Sequence, residues 1–284
     1  MNLKTPTASV SVVIPCFRCA KTIERAVVSV VQQTMKPAEL ILVDDNSDDD
    51  TLVVLQLLRK RFGADWIKII CLKQNGGASI ARNIGWEQST QDYIAFLDAD
   101  DAWHSQKVEI QYTWMRDHQD VALSGHKCVM ISLGMQVPFI STERHFRARY
   151  LSQRRLLISN PFVTPSFMLK RNLQYRFNPS SRYAEDFYLL LQLALGGNSI
   201  VLLDVELAYV FKQFGASGIS GNIFKMRCGD LKNYWRLWQL GQLNFAVMSM
   251  LITYSSVKFI VLLLLGPKLY KNLNQWLNKS HRQI

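Results

Sequence analysis

The sequence predicts an α/β protein built on a doubly wound, mostly parallel sheet. Short β-branched runs alternate with segments of helical periodicity from Ser9 to about Ser124, and 49% of the 284 residues are apolar, which is enough for a large core. Strands that alternate with helices of this length form βαβ units, and helices then cover both faces of the sheet.

The elements of this half follow one another regularly. The predicted strands are Val10–Ile14, Glu39–Val43, Ile67–Cys71 and Tyr93–Leu97. The predicted helices are Ala20–Thr34, Thr51–Phe62, Ala78–Gln88 and Ser105–His118. In the first helix the apolar residues recur at helical spacing, whereas the strands are rich in valine and isoleucine. Further on, we predict a strand at Phe167–Lys170 and a helix from about Ala184 to Leu195.

Each of the four strands ends in an unusual polar loop. These loops are Pro15–Arg18, Asp44–Asp48, Lys73–Gly77 and Asp98–Asp101. In open α/β sheets, ligands bind outside the carboxyl ends of the strands, where all four loops are expected to lie. The sequence therefore predicts a binding site at this edge.

Three aspartates follow the fourth strand in the order Asp98, Asp100 and Asp101. Alternate residues of an extended chain face the same way, so we expect Asp98 and Asp100 to point to one place, with Asp101 pointing elsewhere or capping the next helix. Carboxylates this close repel, and a divalent cation such as Mg²⁺ or Mn²⁺ relieves the repulsion. The alternative is a solvated acidic turn.

The other loops suit a nucleotide. Asp45 ends the second strand, where nucleotide-binding sheets often contact the ribose or base. Gly76 and Gly77 permit close approach of the backbone, and Arg82, one turn into the following helix, could meet a diphosphate. Taken alone, however, a glycine loop before a helix is more often an ordinary turn.

Five motifs in this order resemble the family-two glycosyltransferases with the GT-A fold. They are Val13–Phe17, Leu42–Asp48 with Thr51, Asn75–Gly85, Phe96–Asp101 and Glu185–Asp186. The resemblance implies that Pro15, Phe17 and Asp45 line the pocket of a nucleotide-diphosphate sugar donor. It also implies that Asp100 binds the metal, with Asp98 near the ribose and metal. Many members have glycine where this chain has Asn46, a residue that turns tolerate.

The resemblance further implies that Asp186 is the general base of an inverting reaction, taking a proton from an acceptor hydroxyl. Glu185 would orient or cap, because adjacent helical residues diverge. The alternative for Glu185–Asp186 is a pair of acids in the first turn of a helix, where the macrodipole favours them. A sugar nucleotidyltransferase is the nearest rival enzyme, but its glycine-rich, basic N-terminal signature is missing.

The net charge of +11 also fits a non-enzymatic protein that binds nucleic acid or a membrane surface. We expect no nucleic-acid partner, since Trp and Tyr concentrate after residue 230 instead of alternating with basic residues. Several arginines precede the acceptor half: Arg144, Arg147, Arg149, Arg154 and Arg155. Some of them could bind a phosphate of the donor or of a lipid-linked or glycan acceptor; the alternative is a solvated loop.

Phe245–Leu265 is apolar and long enough to span a bilayer, but it contains Lys258. We favour helices lying in an anionic cytoplasmic membrane face; the alternatives are a membrane span and a soluble core or dimer helix. We divide the chain into a glycosyltransferase domain at 1–221 and a membrane-associating helical region at 222–284. The first has a nucleotide-sugar-binding half at 9–124 and an acceptor half at 125–221.

Overall fold

The computed structural model describes residues 6–131, 146–211 and 223–280, with side chains described only as far as Gly266 in the last range. The chain divides into two compact units, Met1–Asn222 and Ile223–Ile284. Arg144 lies outside the described residues, as do the side chains beyond Gly266. The roles assigned to the predicted domains stay predictions.

The first half of unit one is a parallel sheet flanked by helices. Its strands are β1 (Thr7–Cys16), β2 (Lys36–Asp44), β3 (Ile67–Cys71) and β4 (Tyr93–Phe96), in the spatial order β3-β2-β1-β4. Its helices are α1 (Ile23–Val31), α2 (Thr51–Phe62), α3 (Ala78–Glu87) and α4 (Lys107–Asp117). These elements confirm the eight predicted ones, and most bounds differ from the predicted ones by one to three residues.

Residues of β1 alternate between two cores. Val12 and Ile14 pack in one buried cluster with residues of α1, α2 and α4, whereas Val13 packs in a second cluster with residues of α3. Successive side chains of a strand point to opposite faces, so a central strand that is apolar at every position needs helices on both sides. The doubly wound arrangement follows.

The second half of unit one extends the sheet with mixed pairing. It contributes β5 (Ala102–Trp103), β6 (Val121–Met130), β7 (Ala148–Tyr150), β8 (Met168–Lys170) and β9 (Ser199–Val210), with α5 (Gln153–Ile158) and α6 (Glu185–Leu195). β8 pairs antiparallel with β4 and β6, and β6 pairs parallel with β9. β5 and β7 both pair antiparallel with β9. The α/β class is confirmed, while the sheet as described is parallel only in its first half and mixed beyond it.

Gly85 sets how closely α3 approaches the sheet. A Cβ atom there would lie 2.3 Å from Cγ1 of Val13, so a side chain at this position would push the helix away from β1. The close packing holds the beginning of α3 beside the carboxyl ends of β1 and β2, where the polar loops lie.

Unit two contains α7 (Ile223–Gln239) and α8 (Phe245–Ser280), the latter interrupted at Gly266, whose φ is 71°. Phe245–Gly266 is long and apolar enough to cross a membrane on length and composition alone.

Candidate active site

Asp45 fastens the glycine loop to the end of β2. Its two carboxylate oxygens accept hydrogen bonds from the backbone N–H groups of Gly76 and Gly77, both at 2.7 Å. The side chain of Asn75 donates to the carbonyl of Asp45 at 3.1 Å. Gly77 has φ 86°, a left-handed conformation that favours glycine. The second and third polar loops are therefore held together by hydrogen bonds.

The first polar loop is bonded to the second. The backbone N–H of Asp45 donates to the carbonyl of Cys16 at 2.8 Å, beside Pro15 in β1, and the ring of Phe17 is 43% exposed. Asn46 has φ 57°, which explains why a residue that tolerates left-handed backbone stands there. Three of the four loops thus meet at one edge.

The aspartates after β4 lie in a turn instead of an extended chain. β4 ends at Phe96, and the backbone N–H of Asp101 donates to the carbonyl of Asp98 at 3.1 Å. The prediction that Asp98 and Asp100 face the same way because they lie in an extended chain is therefore wrong. The capping role of Asp101 is wrong as well: Asp101 is buried and accepts from the N–H of Phe211 at 3.2 Å, and α4 begins only at Lys107.

Arg82 bridges two carboxylates. Its Nη2 lies 2.7 Å from Oδ1 of Asp98 and its Nη1 lies 3.1 Å from Oε1 of Glu185, while the arginine side chain is only 5% exposed. Burial alone lowers the pKa of this guanidinium, but the attraction of Asp98 and Glu185 outweighs it and the pKa is raised. Arg82 thus has two acidic partners within the protein, and its contact with a diphosphate stays a prediction.

Glu185 is placed by this bridge and not by a helix cap. Ala184, directly before it, has φ 55° and ψ 34°, a left-handed conformation that is unfavourable for a residue other than glycine. The strained residue turns the chain into α6 so that Glu185 reaches Arg82 and Asp186 points to a separate partner.

That partner is Asn160. Its Nδ2 donates to Oδ2 of Asp186 at 2.9 Å, and the N–H of Phe187 donates to Oδ1 at 2.7 Å. Burial and the charge of Glu185 raise the pKa of Asp186 from 3.8 to about 7, against the lowering effects of the Phe187 N–H, Arg82 and Asn160. A carboxylate with this pKa can accept a proton near neutral pH.

The geometry unites most of the predicted site. Arg82 connects Asp98, one of the two metal-binding candidates, with Glu185 of α6, and Asp45 organises the loop from which α3 begins. Sequence reasoning missed Asn160, because its sequence context of Asn160–Pro161 indicates only a turn. An acidic turn, a glycine loop and a half-buried carboxylate of raised pKa thus belong to one connected set of contacts.

Comparison with known families decides what kind of protein this is. The sequence model described as Glycosyl transferase family 2 matches residues 11–174, more than half of the chain. The chain belongs to glycosyl transferase family 2. It is therefore a glycosyltransferase, and the resemblance drawn from the five motifs is confirmed.

Relatives of this family 2 glycosyltransferase act in surface glycan synthesis. It is 28% identical over 227 residues to the UDP-Glc:alpha-D-GlcNAc-diphosphoundecaprenol beta-1,3-glucosyltransferase WfgD of Escherichia coli, covering 80% of this chain and 83% of WfgD. It is 28% identical to the poly(ribitol-phosphate) beta-N-acetylglucosaminyltransferase TarP of Staphylococcus aureus, covering 73% of this chain and 64% of TarP.

Solved structures confirm the fold. The crystal structure of residues 1–349 of S. aureus TarS in complex with UDP-GlcNAc matches with a TM-score of 0.62 at 20% identity, covering 86% of this chain and 70% of that one. The same region of TarS in complex with UDP matches equally, again with a TM-score of 0.62. The GT-A class predicted from the motifs is therefore the fold of this glycosyltransferase.

The arginines of the arginine-rich stretch have different surroundings. Arg149 donates to Asp204 at 3.2 Å from the edge of the sheet, whereas Arg154 and Arg155 are exposed on α5. Arg147 is also exposed. A phosphate-binding role therefore stays a prediction for the exposed arginines of this glycosyltransferase, and Arg149 already has a carboxylate partner.

Proposed function

We propose that this glycosyltransferase is an inverting, divalent-metal-dependent enzyme. It transfers a sugar from a nucleotide-diphosphate sugar to a hydroxyl of a lipid-linked or polysaccharide acceptor during synthesis of a cell-surface glycan. The observation that carries the proposal is Asp186: half-buried, raised in pKa to about 7, and joined through Glu185 and Arg82 to the acidic turn at Asp98.

The donor pocket in this proposal is formed by the first three polar loops. Phe17 presents an exposed ring, Pro15 lies two residues before it near the end of β1, and Asp45 holds the glycine loop in place. WfgD uses UDP-glucose by name, and TarS was solved with UDP and UDP-GlcNAc, so a UDP-sugar is the first donor to test.

The acidic turn suits a divalent cation. Asp98 and Asp100 are both partly exposed, and the described residues contain no group of three or more His, Cys, Asp or Glu side chains that could hold a metal ion. Mg²⁺ and Mn²⁺ commonly take one or two protein carboxylates and complete their shell with water and substrate phosphates. Asp100, with Asp98 beside it, would hold the ion, which when bound supplies Lewis-acid stabilisation of the leaving diphosphate.

Asp186 acts on the acceptor. Its carboxylate takes the proton of the acceptor hydroxyl while that oxygen attacks the anomeric carbon and the bond to the nucleoside diphosphate breaks. One displacement inverts the anomeric configuration. Asn160 and the Phe187 N–H hold the carboxylate in position, so little motion is needed when the acceptor arrives.

Arg82 holds the start of α6, through Glu185, close to the turn that carries Asp98. Two carboxylates this close would repel each other, and the buried guanidinium between them offsets the repulsion. When the donor binds, its diphosphate can compete with these carboxylates for the guanidinium.

The proposal also includes a lipid-linked acceptor and a location at a membrane. WfgD acts by name on a diphosphoundecaprenol-linked sugar, and α8 is long and apolar, so we place this enzyme at the cytoplasmic face of a cell membrane on a lipid-linked acceptor. The exposed Arg154 and Arg155 are available to a phosphate of that acceptor.

The test is a product analysis on the purified full chain. Incubation with Mn²⁺, a panel of UDP-sugars and diphospholipid-linked acceptors should release UDP and form a product of inverted configuration. Chelation by EDTA should stop the reaction, and added Mn²⁺ or Mg²⁺ should restore it. Release of pyrophosphate instead of UDP would favour the sugar nucleotidyltransferase, and binding of RNA without sugar transfer would contradict the enzyme proposal.

A further inference from the structure

Unit two is an antiparallel helical hairpin. The ring of Phe224, at the start of α7, lies 5.0 Å from that of Phe259 in α8, and the ring of Trp238, near the end of α7, lies 5.9 Å from that of Phe245. α8 therefore runs beside α7 from Phe245 to Phe259.

Two polar residues of α8, Ser255 and Lys258, face α7. Ser255 is buried, and its hydroxyl accepts a hydrogen bond at 2.8 Å from Nη1 of Arg227, which also donates to Asp230 at 2.9 Å. Lys258, half-buried and one turn after Ser255, is attracted by Asp230. These four residues form a polar seam inside the hairpin.

The other side of α8 is exposed and mostly apolar, although it also includes Thr253. Met250, Val257, Ile260 and Leu264 recur at helical spacing and have exposed fractions of 61%, 54%, 53% and 79%. We call these four residues the outer face. A helix on a water-soluble protein turns its apolar side inwards and its polar side to solvent, so α8 has the reverse arrangement. Such a face is suited to hydrocarbon.

We propose that the outer face of α8 lies in the hydrocarbon of one leaflet of an anionic bilayer and that α8 does not cross the bilayer. This inference rests on the membrane location in the proposed function and specifies how the chain binds there. A second copy of the chain is the competing occupant of the outer face, and the experiment below separates the two.

The length of the free part of α8 argues against a span. Up to Phe259, α8 lies against α7, which exposes Lys225, Lys232 and Arg236 and so cannot be surrounded by lipid tails. Beyond α7, only residues 260–265 remain before the break at Gly266. Six residues of helix cover about 9 Å, whereas the hydrocarbon core is about 30 Å thick.

Charge and aromatic side chains support a bilayer as the occupant. The exposed basic residues of α7 can contact anionic headgroups, each contributing about 1 kcal/mol near such a surface. Trp235 and Trp238 pack together at 4.8 Å close to the turn of the hairpin. Tryptophan is enriched at the boundary between headgroups and hydrocarbon, so the hairpin has the groups that an interfacial anchor needs.

Co-sedimentation of the full chain with vesicles tests the occupant. The Val257→Gln/Ile260→Gln variant should bind phosphatidylglycerol-containing vesicles about tenfold more weakly or worse, because two exposed apolar groups lose their burial in lipid. The matched control is Val53→Gln/Leu57→Gln, which changes two equally exposed apolar residues of α2 and should bind as the unaltered chain does. Unchanged vesicle binding by the first variant, with loss of self-association in sedimentation velocity, would overturn the lipid assignment.

Labelling from either side of the membrane tests the topology. In a background with the exposed Cys71 and Cys228 replaced by serine, Lys225→Cys and Lys279→Cys are labelled with an impermeant maleimide. Both should react in inside-out vesicles and neither in right-side-out vesicles. Reaction of Lys279→Cys from the outer side would show a span and refute the proposal.

Turnover measured on the same samples keeps the two proposals distinguishable. Vesicle binding without sugar transfer to any acceptor would leave this inference standing and contradict the proposed function. Sugar transfer to a water-soluble acceptor without vesicle binding would contradict this inference and leave the proposed chemistry standing.

Discussion

Asn160 donates a hydrogen bond from its Nδ2 to Oδ2 of Asp186 across 2.9 Å, although 26 residues separate the two along the chain. The bond favours the charged carboxylate and so lowers the pKa of Asp186 against the raising effect of burial. Asn160 is therefore a positioning residue for the proposed base. The side-chain oxygen of Asn160 also accepts a hydrogen bond, from the N–H of Phe162 at 3.0 Å.

Asn160→Ala should move the acidic limb of the kcat/KM profile to higher pH. A hydrogen bond to a charged group contributes on the order of 1.5 kcal/mol, so the limb should shift by about one pH unit. The control is Asn83→Ala. Both amide atoms of Asn83 form hydrogen bonds with the backbone of Phe177, and neither bond involves an acid of the site. That variant should lose stability without a shift of the limb. An identical profile for Asn160→Ala and the unaltered chain would rule out the positioning role.

Asp186→Asn should lower activity without lowering thermal stability at pH 8. Loss of a general base lowers kcat by about 10²- to 10⁴-fold. Because the folded-state pKa of Asp186 is raised to about 7 from 3.8, the native state holds more protons than the unfolded state between these values. Its contribution to stability therefore falls as pH rises from about 4 through 7.

The asparagine variant should accordingly unfold at the same or a higher temperature than the unaltered chain at pH 8. Differential scanning calorimetry at pH 5 and pH 8 measures this, with steady-state kinetics on the same preparations. Nearly full activity of Asp186→Asn would contradict the assignment of the base.

Arg82 should tolerate no apolar replacement. Arg82→Leu leaves the carboxylates of Asp98 and Glu185 without their shared cation, and loss of one partner of a buried ion pair costs about 3 to 5 kcal/mol. Urea unfolding measures the change. Arg149→Leu is the control, because Arg149 pairs with Asp204 at a more exposed position and its loss should cost far less.

Asp45→Asn should weaken nucleotide binding through the glycine loop. An amide offers one acceptor oxygen in place of two charged ones, so one of the bonds to Gly76 and Gly77 is lost, at a cost of about 1 to 3 kcal/mol. Titration calorimetry with UDP should show a higher Kd. Asp49→Asn alters an acid that accepts from the N–H of Thr51 and not from the glycine loop, so it should leave the Kd unchanged.

Asp100→Asn should abolish turnover and raise the Mn²⁺ concentration needed for half-maximal activity of any residual reaction, because a neutral amide is a poorer ligand for a hard cation. Asp101→Asn is the paired variant. Its remaining oxygen can still accept from the N–H of Phe211, so the metal requirement should stay as in the unaltered chain. An unaltered Mn²⁺ requirement in Asp100→Asn would move the proposed metal site elsewhere.

Much of the first half of the fold could be predicted because its signals are local. Val10, Val12 and Ile14 fill one core and Val13 the other, so a continuous apolar run correctly indicated a strand covered on both faces. In the second half, Ser199–Val210 carries a strong strand pattern, which makes β9 visible in the sequence. Val121–Met130 gives a weaker signal, because Ser124 and His126 occupy buried positions of the strand.

The sequence by itself determined the order of strands and helices, the polar loops after the strands, and the acids of the site, because periodicity and turn chemistry act over a few residues. Only the tertiary structure decided what those side chains contact. Arg82 reaches Glu185 across 103 residues, and the mixed pairing of β4, β8 and β6 brings their two halves together. Such contacts depend on the order of strands in space, and local patterns contain no measure of that order.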